Sequence, residues 1–253
     1  MKTIGLALSG GGARGIGHLG VLKALDEMGV KVNGLSGTSS GAIVGAFYSA
    51  GYSPDEILKI AKETTLFGYK NFLIGKAGLF DMKTFKEAFD KYIQYHNIEQ
   101  LPIPLTVVAT DIVKGEIRYF TDSDLSMALM ASSCVPLVFQ PIQYESTIYL
   151  DGGILNNFPV EPLTGKYDVV IGVNVNAISK DIQKIQMKDM LDRSFHLALN
   201  KEISEKHQYC HILIEPPEMS RFGMFDMERI QEVFDFAYGY TIGQRKAIER
   251  VLG

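Results

Sequence analysis

Three short groups of residues in this chain combine types and spacing that chemistry can use. The first is Gly37-Thr38-Ser39-Ser40-Gly41, a GxSxG sequence lying between an apolar run and a helix-like segment. In that context small residues on both sides of a serine permit a sharp turn that lifts its hydroxyl out of the chain, and the following helix N-terminus supplies unpaired N–H groups and a positive dipole. The bland reading is a serine-rich turn, because GxSxG is short enough to arise by chance.

The second group, Gly10-Gly11-Gly12-Ala13-Arg14-Gly15, admits two readings. It satisfies GxGxxG after a strand and before a helix, the form of a dinucleotide-binding loop. That site requires an acidic residue at the end of the next strand to hold the ribose. Here the corresponding place holds Leu35-Ser36-Gly37-Thr38-Ser39, a candidate nucleophile and no acid. The loop suits an oxyanion hole better, since consecutive glycines let backbone N–H groups converge on a small anion. Arg14 either adds charge there or braces the loop.

A serine needs a base. The third group, Asp151-Gly152-Gly153, places a carboxylate after the apolar residues 147–150 and before glycines that tolerate close backbone approach. Its alternative is an ordinary turn aspartate. Aspartate is a weak base, so a Ser–Asp pair demands desolvation that raises the carboxylate pKa. Histidine is the usual partner, and His18, His96, His196, His207 and His211 are available. The chain order Ser39, Asp151, His211 matches the order in ordinary α/β hydrolases, so a triad stays open beside the dyad.

Strands and helices must position these groups. Residues 3–8 form an apolar run entering the glycine loop. Ile16, Leu19, Leu22, Leu25 and Met28 then recur every three residues, marking one face of a helix over 14–29. Residues 32–35 predict a second strand leading to GTSSG, and residues 42–50, apolar all round, a buried helix. Ser53-Pro54-Asp55-Glu56 has the form of a helix capping box. Residues 104–112 and 116–122 predict a hairpin turning at Lys114-Gly115. A helix over 124–132, strands over 141–144, 147–150 and 168–175, and a strand near 210–215 complete an alternating pattern. Such alternation argues for an α/β sheet covered on both faces, with the glycine loop and Ser39 meeting at one carboxyl edge if the first two strands are neighbours.

Composition fits this reading. The chain has 253 residues, 46% hydrophobic and 21% charged, as expected for one globular domain over residues 1–253 without repeats or linkers. A net charge of −4 with no basic cluster argues against nucleic acid. Cys134 and Cys210 have no metal-ligand spacing, and both are expected as buried, reduced thiols. Residues 3–8 are too short for a signal-peptide core and no apolar run is long enough to span a bilayer, so the expectation is a cytoplasmic protein able to lie against a membrane surface.

Together GGGARG, GTSSG and DGG resemble the patatin-like phospholipase family. The stretches LTVVATDIVKGE, ASSCVPLVFQPI and LDGGILNNFPV extend the resemblance over about residues 4–175. It implies a three-layer patatin-like fold with a mainly parallel central sheet covered by helices. It also implies Ser39 as nucleophile, Asp151 as proton acceptor, and Gly10, Gly11, Gly12 and Arg14 around the oxyanion, with Gly15, Gly37, Gly41, Gly152 and Gly153 supporting the turns. No cofactor and no metal enter that chemistry. The implied substrate is a lipid or fatty-acyl ester, cleaved through an acyl-serine; the Ser39–Asp151–His211 esterase and a non-catalytic lipid-binding scaffold are the competing readings. Head group, acyl-chain length and oligomeric state are not set by the residues. Two apolar, glycine-containing stretches, 66–80 and 219–227, are expected either to meet lipid, the first as a lid, or to pack on the core.

Overall fold

The computed structural model describes residues 2–64, 82–136, 138–178, 197, 205–224 and 226–253. The lid expected over 66–80 therefore lies outside the described residues, as does His196.

Eight strands form one sheet in the order β5-β6-β3-β2-β1-β7-β8, with β4 also paired to β3. The parallel part comprises β1 (Ile4–Leu8), β2 (Gly34–Thr38), β3 (Leu105–Asp111), β7 (Val169–Val173) and β8 (Ile212–Ile214). At one end β4 (Glu116–Phe120), β5 (Ile142–Tyr144) and β6 (Thr147–Asp151) pair antiparallel. Of the parallel strands, β1, β2, β3 and β7 are buried on both faces, which explains their unbroken runs of apolar and small residues. The predicted hairpin turns at Gly115, whose φ of 70° suits glycine.

Seven α-helices are described: α1 (Ile16–Glu27), α2 (Ser40–Ser49), α3 (Pro54–Glu63), α4 (Lys83–Tyr92), α5 (Leu125–Ser133), α6 (Ile230–Gly243) and α7 (Arg245–Leu252). The capping box at the start of α3 forms as expected, with Ser53 Oγ accepting from Glu56 N–H and Glu56 accepting from Ser53 N–H. Asp124 caps α5. The main core gathers Leu6 and Leu8 of β1 with the inward faces of α1, α2, α5 and α6. Ala7 alternates with those leucines and points to the opposite face, where it joins Phe158, Val160, Leu163 and Val170 in a second cluster. The segment after β6 builds that second layer and runs over the ends of β1 and β2. Among the described residues, no helix is long and apolar enough to cross a membrane.

Candidate active site

The site lies at the carboxyl edge of the parallel strands, and sheet register creates it. β1 and β2 are adjacent and parallel, with Leu8 opposite Gly37, so the glycine loop and the serine turn leave the sheet side by side. β4 occupies one edge of β3 from Val107 to Asp111, leaving a single edge for both β2 and β6. Thr38 of β2 pairs with Val108 there, and Asp151 of β6 pairs with the next residue, Ala109. Strand β6 thus arrives head-on at the point where β2 ends, bringing Asp151 to Ser39 across 112 residues of sequence.

Ser39 has φ 52° and ψ −122° and is one of two non-glycine residues at positive φ among those described. A side chain in that region costs on the order of 1–3 kcal/mol, tolerated only where surrounding contacts impose it. Those contacts are visible. Ser39 N–H donates to Ser132 Oγ at 2.8 Å, and Thr38 Oγ1 donates to the Asn156 carbonyl at 2.8 Å. A Cβ on Gly41 would lie 2.5 Å from Leu8 O and 2.6 Å from Ser9 O, and one on Gly37 would lie 2.6 Å from Ala42 N. Gly15 packs as closely on Ser40. Helix α2 begins at Ser40 and directs its positive end at the turn.

Asp151 is buried, with the Ser39 hydroxyl beside its carboxylate, and accepts a hydrogen bond from Gly153 N–H at 2.8 Å. Burial pushes its pKa up to about 6, partly offset by the Gly153 N–H and the nearby Ser39 hydroxyl. Desolvation thus makes this carboxylate a stronger base than a solvated one. Its backbone is clamped by Asp151 N–H to Cys134 O at 2.9 Å and by Thr110 Oγ1 to Asp151 O at 3.0 Å. Gly152 fits against Val108 O, where a Cβ would approach to 2.3 Å, and Gly153 sits against the Asp151 carboxylate itself.

The glycine loop presents donors to the same place. Gly10 lies against the turn, a Cβ there falling 3.4 Å from Ser39 Cβ and 2.4 Å from Asn157 Oδ1. Gly10 N–H donates to Asn157 O at 3.0 Å, while Ala13 and Arg14 N–H are taken by Met224 O and Gly11 O. The N–H groups of Gly11 and Gly12 have no acceptor among the described residues, leaving two adjacent backbone donors unpaired. Arg14 is buried, and its Nε donates to Phe222 O at 2.6 Å, bracing the loop against the 219–224 segment. Met219, Phe222 and Met224 are buried in that segment. Of the two alternatives expected for 219–227, this part packs on the core, where Phe222 O and Met224 O accept from Arg14 Nε and Ala13 N–H.

The four described histidines stand apart from this chemistry. His211 was open as a triad member, but its Nδ1 accepts from Val170 N–H at 3.0 Å. Val170 is level with Gly5, and Gly5 with Gly34, which places His211 at the amino edge, five residues short of Ser39. That is about 16 Å along the strands and about 14 Å across them, so it makes no triad. His96 and His207 are exposed. His18 is buried, and burial lowers its pKa to about 4; the neutral ring donates from Nε2 to Ser9 O at 2.7 Å. Its role is to hold the strand end ahead of the glycine loop. Cys134 is buried and Cys210 only partly so; both are free thiols, pushed up to about 12 by burial. Among the described residues, no cluster of histidine, cysteine and carboxylate side chains could hold a metal ion.

Sequence reasoning missed Ser132, Asn156, Asn157 and Asn176, which act by contacts formed only in the fold. The first three lie within ASSCVP and LNNFPV, stretches that carried the family resemblance without indicating which atoms mattered.

Comparison with known proteins agrees with this architecture. A family model for patatin-like phospholipase matches residues 6–164. An uncharacterized NTE family protein of Mycobacterium tuberculosis is 38% identical over 177 residues, covering 68% of this chain and 49% of that protein. The chain thus spans about half the length of the curated relatives it matches first. Among solved structures, VipD from Legionella pneumophila aligns with a TM-score of 0.58 at 15% identity over 97% of this chain and 67% of that one. Human GIVD cytosolic phospholipase A2 aligns with a TM-score of 0.53 at 10% identity, over 99% and 60%. At such identities these two establish the fold alone. The family model covers well over half of the residues, including all three glycine-flanked groups at the carboxyl edge, and the chain belongs to the patatin-like phospholipase family.

Proposed function

We propose that the protein is a serine-dependent acyl hydrolase acting on carboxylic esters of phospholipids or related lipids, with residues 1–253 working as one patatin-like domain. The observation that carries this reading is the placing of Ser39, held at positive φ, beside a buried Asp151 whose pKa is pushed up to about 6. In acylation Ser39 Oγ bonds to the ester carbon and its proton passes to Asp151; the carbon–oxygen bond then breaks and the leaving alcohol takes that proton. Water deprotonated by Asp151 attacks the acyl-serine in turn; the carbon–Oγ bond breaks, Ser39 takes the proton from Asp151, and the fatty acid is released. Charge developing on the carbonyl oxygen falls to the Gly11 and Gly12 N–H groups, where each donor contributes about 3 kcal/mol to the transition state. Family membership supports a lipid ester as the substrate class, and peripheral contact with a membrane surface follows from it.

The test is hydrolysis of a short-chain p-nitrophenyl ester and of phospholipid vesicles by wild type, Ser39→Ala and Asp151→Asn, each confirmed folded by circular dichroism. Both variants should lose at least 100-fold in kcat on either substrate, with wild type active. An unimpaired Ser39→Ala protein, or a wild type inert on both substrates, overturns the proposal.

A further inference from the structure

The donors of the glycine loop are useful only if their peptide planes hold the right way round. In a trans peptide the C=O and the following N–H point in opposite directions, so the orientation of the Gly10 carbonyl fixes that of the Gly11 N–H. Nothing within the loop fixes it, since glycines rotate freely and no side chain there can reach back. The fixing atom comes from beyond β7. Asn176 is fully buried and its Nδ2 donates to Gly10 O at 2.6 Å.

The amide itself is over-determined. Nδ2 also lies 3.2 Å from Asn174 Oδ1 and 3.3 Å from Ser9 Oγ, so three acceptors surround one nitrogen. The reversed amide would set an oxygen against the Gly10 carbonyl. Asn176 N–H donates to the same Asn174 Oδ1 at 3.0 Å, and Val175 N–H donates to Ser9 Oγ at 3.1 Å. Asn174 is anchored by its own Nδ2 donating to Glu215 Oε1. On the loop side, Ser9 O is held by His18 at 2.7 Å and Gly10 N–H by Asn157 O at 3.0 Å. Of the groups flanking the Gly11 N–H, the Gly10 carbonyl is the one whose direction sets it, and Asn176 is its side-chain partner.

We propose that Asn176 is a positioning residue for ester hydrolysis, its amide holding the Gly10 carbonyl so that the Gly11 N–H faces the oxyanion. It lies outside the stretch matched by the family model and touches no reacting atom. The inference rests on the acyl-hydrolase reading above. Removing the clamp lets the peptide turn and weakens one oxyanion donor, which is used in the transition state more than in substrate binding.

The experiment compares wild type, Asn176→Asp, Asn176→Ala and Ser39→Ala, with Ile248→Ala, on the buried face of α7, as a destabilised control. Steady-state kinetics on a p-nitrophenyl ester are measured together with inhibition by an alkyl trifluoromethyl ketone, whose hemiketal places an oxyanion in the hole. Both Asn176 variants should lose about 10–100-fold in kcat with KM within about threefold, and trifluoromethyl ketone affinity should fall by the factor lost in kcat/KM. The isosteric aspartate carries the test if the alanine variant does not fold. Unchanged kcat, a loss confined to KM, unchanged inhibitor affinity, or the same loss in Ile248→Ala would each overturn the assignment. A dead Ser39→Ala beside intact Asn176 variants removes the positioning role alone. A fully active Ser39→Ala removes the hydrolase reading and the inference with it.

Discussion

Replacing Asp151 by asparagine should destroy activity and stabilise the protein, by an amount that depends on pH in a set direction. Burial lifts the Asp151 pKa from the ordinary 3.8 to about 6, so the folded state binds its proton more tightly than the unfolded chain does. The two states are equal in this respect below about 3.8, where both are protonated. As pH rises towards 6 the unfolded chain ionises and the folded one resists, so stability falls; above 6 the penalty is complete and constant. Each tenfold change in proton affinity is worth about 1.4 kcal/mol, giving a full cost on the order of 3 kcal/mol. Asparagine keeps an oxygen for the Gly153 N–H and carries no charge, but its neutral amide accepts less strongly. The expected net gain is therefore about 1–3 kcal/mol at pH 7.5, shrinking towards zero near pH 4. Urea unfolding at pH 4.5, 6.0 and 7.5 measures it directly, and Tm should rise by about 2–4 °C per kcal/mol for a chain of this size. An Asp151→Asn protein no more stable than wild type at pH 7.5, or a difference that does not shrink on acidification, would refute the claim that desolvation raises this carboxylate.

The same carboxylate sets the acid limb of the rate profile: kcat/KM should fall tenfold per pH unit below an inflection near 6, because protonated Asp151 cannot accept the serine proton. An inflection near 4 would place the working base elsewhere. Gly41→Ala should cost on the order of 2–4 kcal/mol in urea unfolding, since its Cβ would lie 2.5 Å and 2.6 Å from two backbone oxygens that have little freedom to move. His211→Ala should keep kcat/KM within a factor of about two while losing about 1 kcal/mol of stability, the worth of the acceptor it offers Val170 N–H. A large kinetic loss in that variant would revive the triad.

Much of this fold is legible in the residues because local and tertiary preferences agree. The period-three apolar face of α1, the Ser53–Glu56 box and the Lys114-Gly115 turn all formed where expected. Strand β2 is the instructive mismatch. It was expected over 32–35 and runs over Gly34–Thr38, because GLSGT has little intrinsic strand preference and is held extended by pairing with β1 and β3. The small residues are explained by what packs on them: Gly34 faces the Tyr167 ring, and Ser36 Oγ donates to Pro159 O. The helix expected from residue 14 starts as a 3-10 turn at Gly12, leaving the loop donors exposed to the site. At the site, the serine, the aspartate and the glycines announce themselves through turn chemistry. Asn156, Asn157, Asn176 and Ser132 do not, since each acts through a hydrogen bond to a residue 90 or more positions away, among others it makes.

The central claim is that Ser39 is the nucleophile and Asp151 its activator, and active-site labelling tests it most directly. Wild type would be incubated with a long-chain alkyl fluorophosphonate at pH 8, and the adduct located by intact-mass and peptide mass spectrometry. One phosphonyl group per chain is expected, on Ser39, absent in Ser39→Ala, formed at least 100-fold more slowly in Asp151→Asn and at the wild-type rate in His211→Ala. Labelling at another residue, or undiminished labelling of Ser39 in the Asp151→Asn protein, would contradict it.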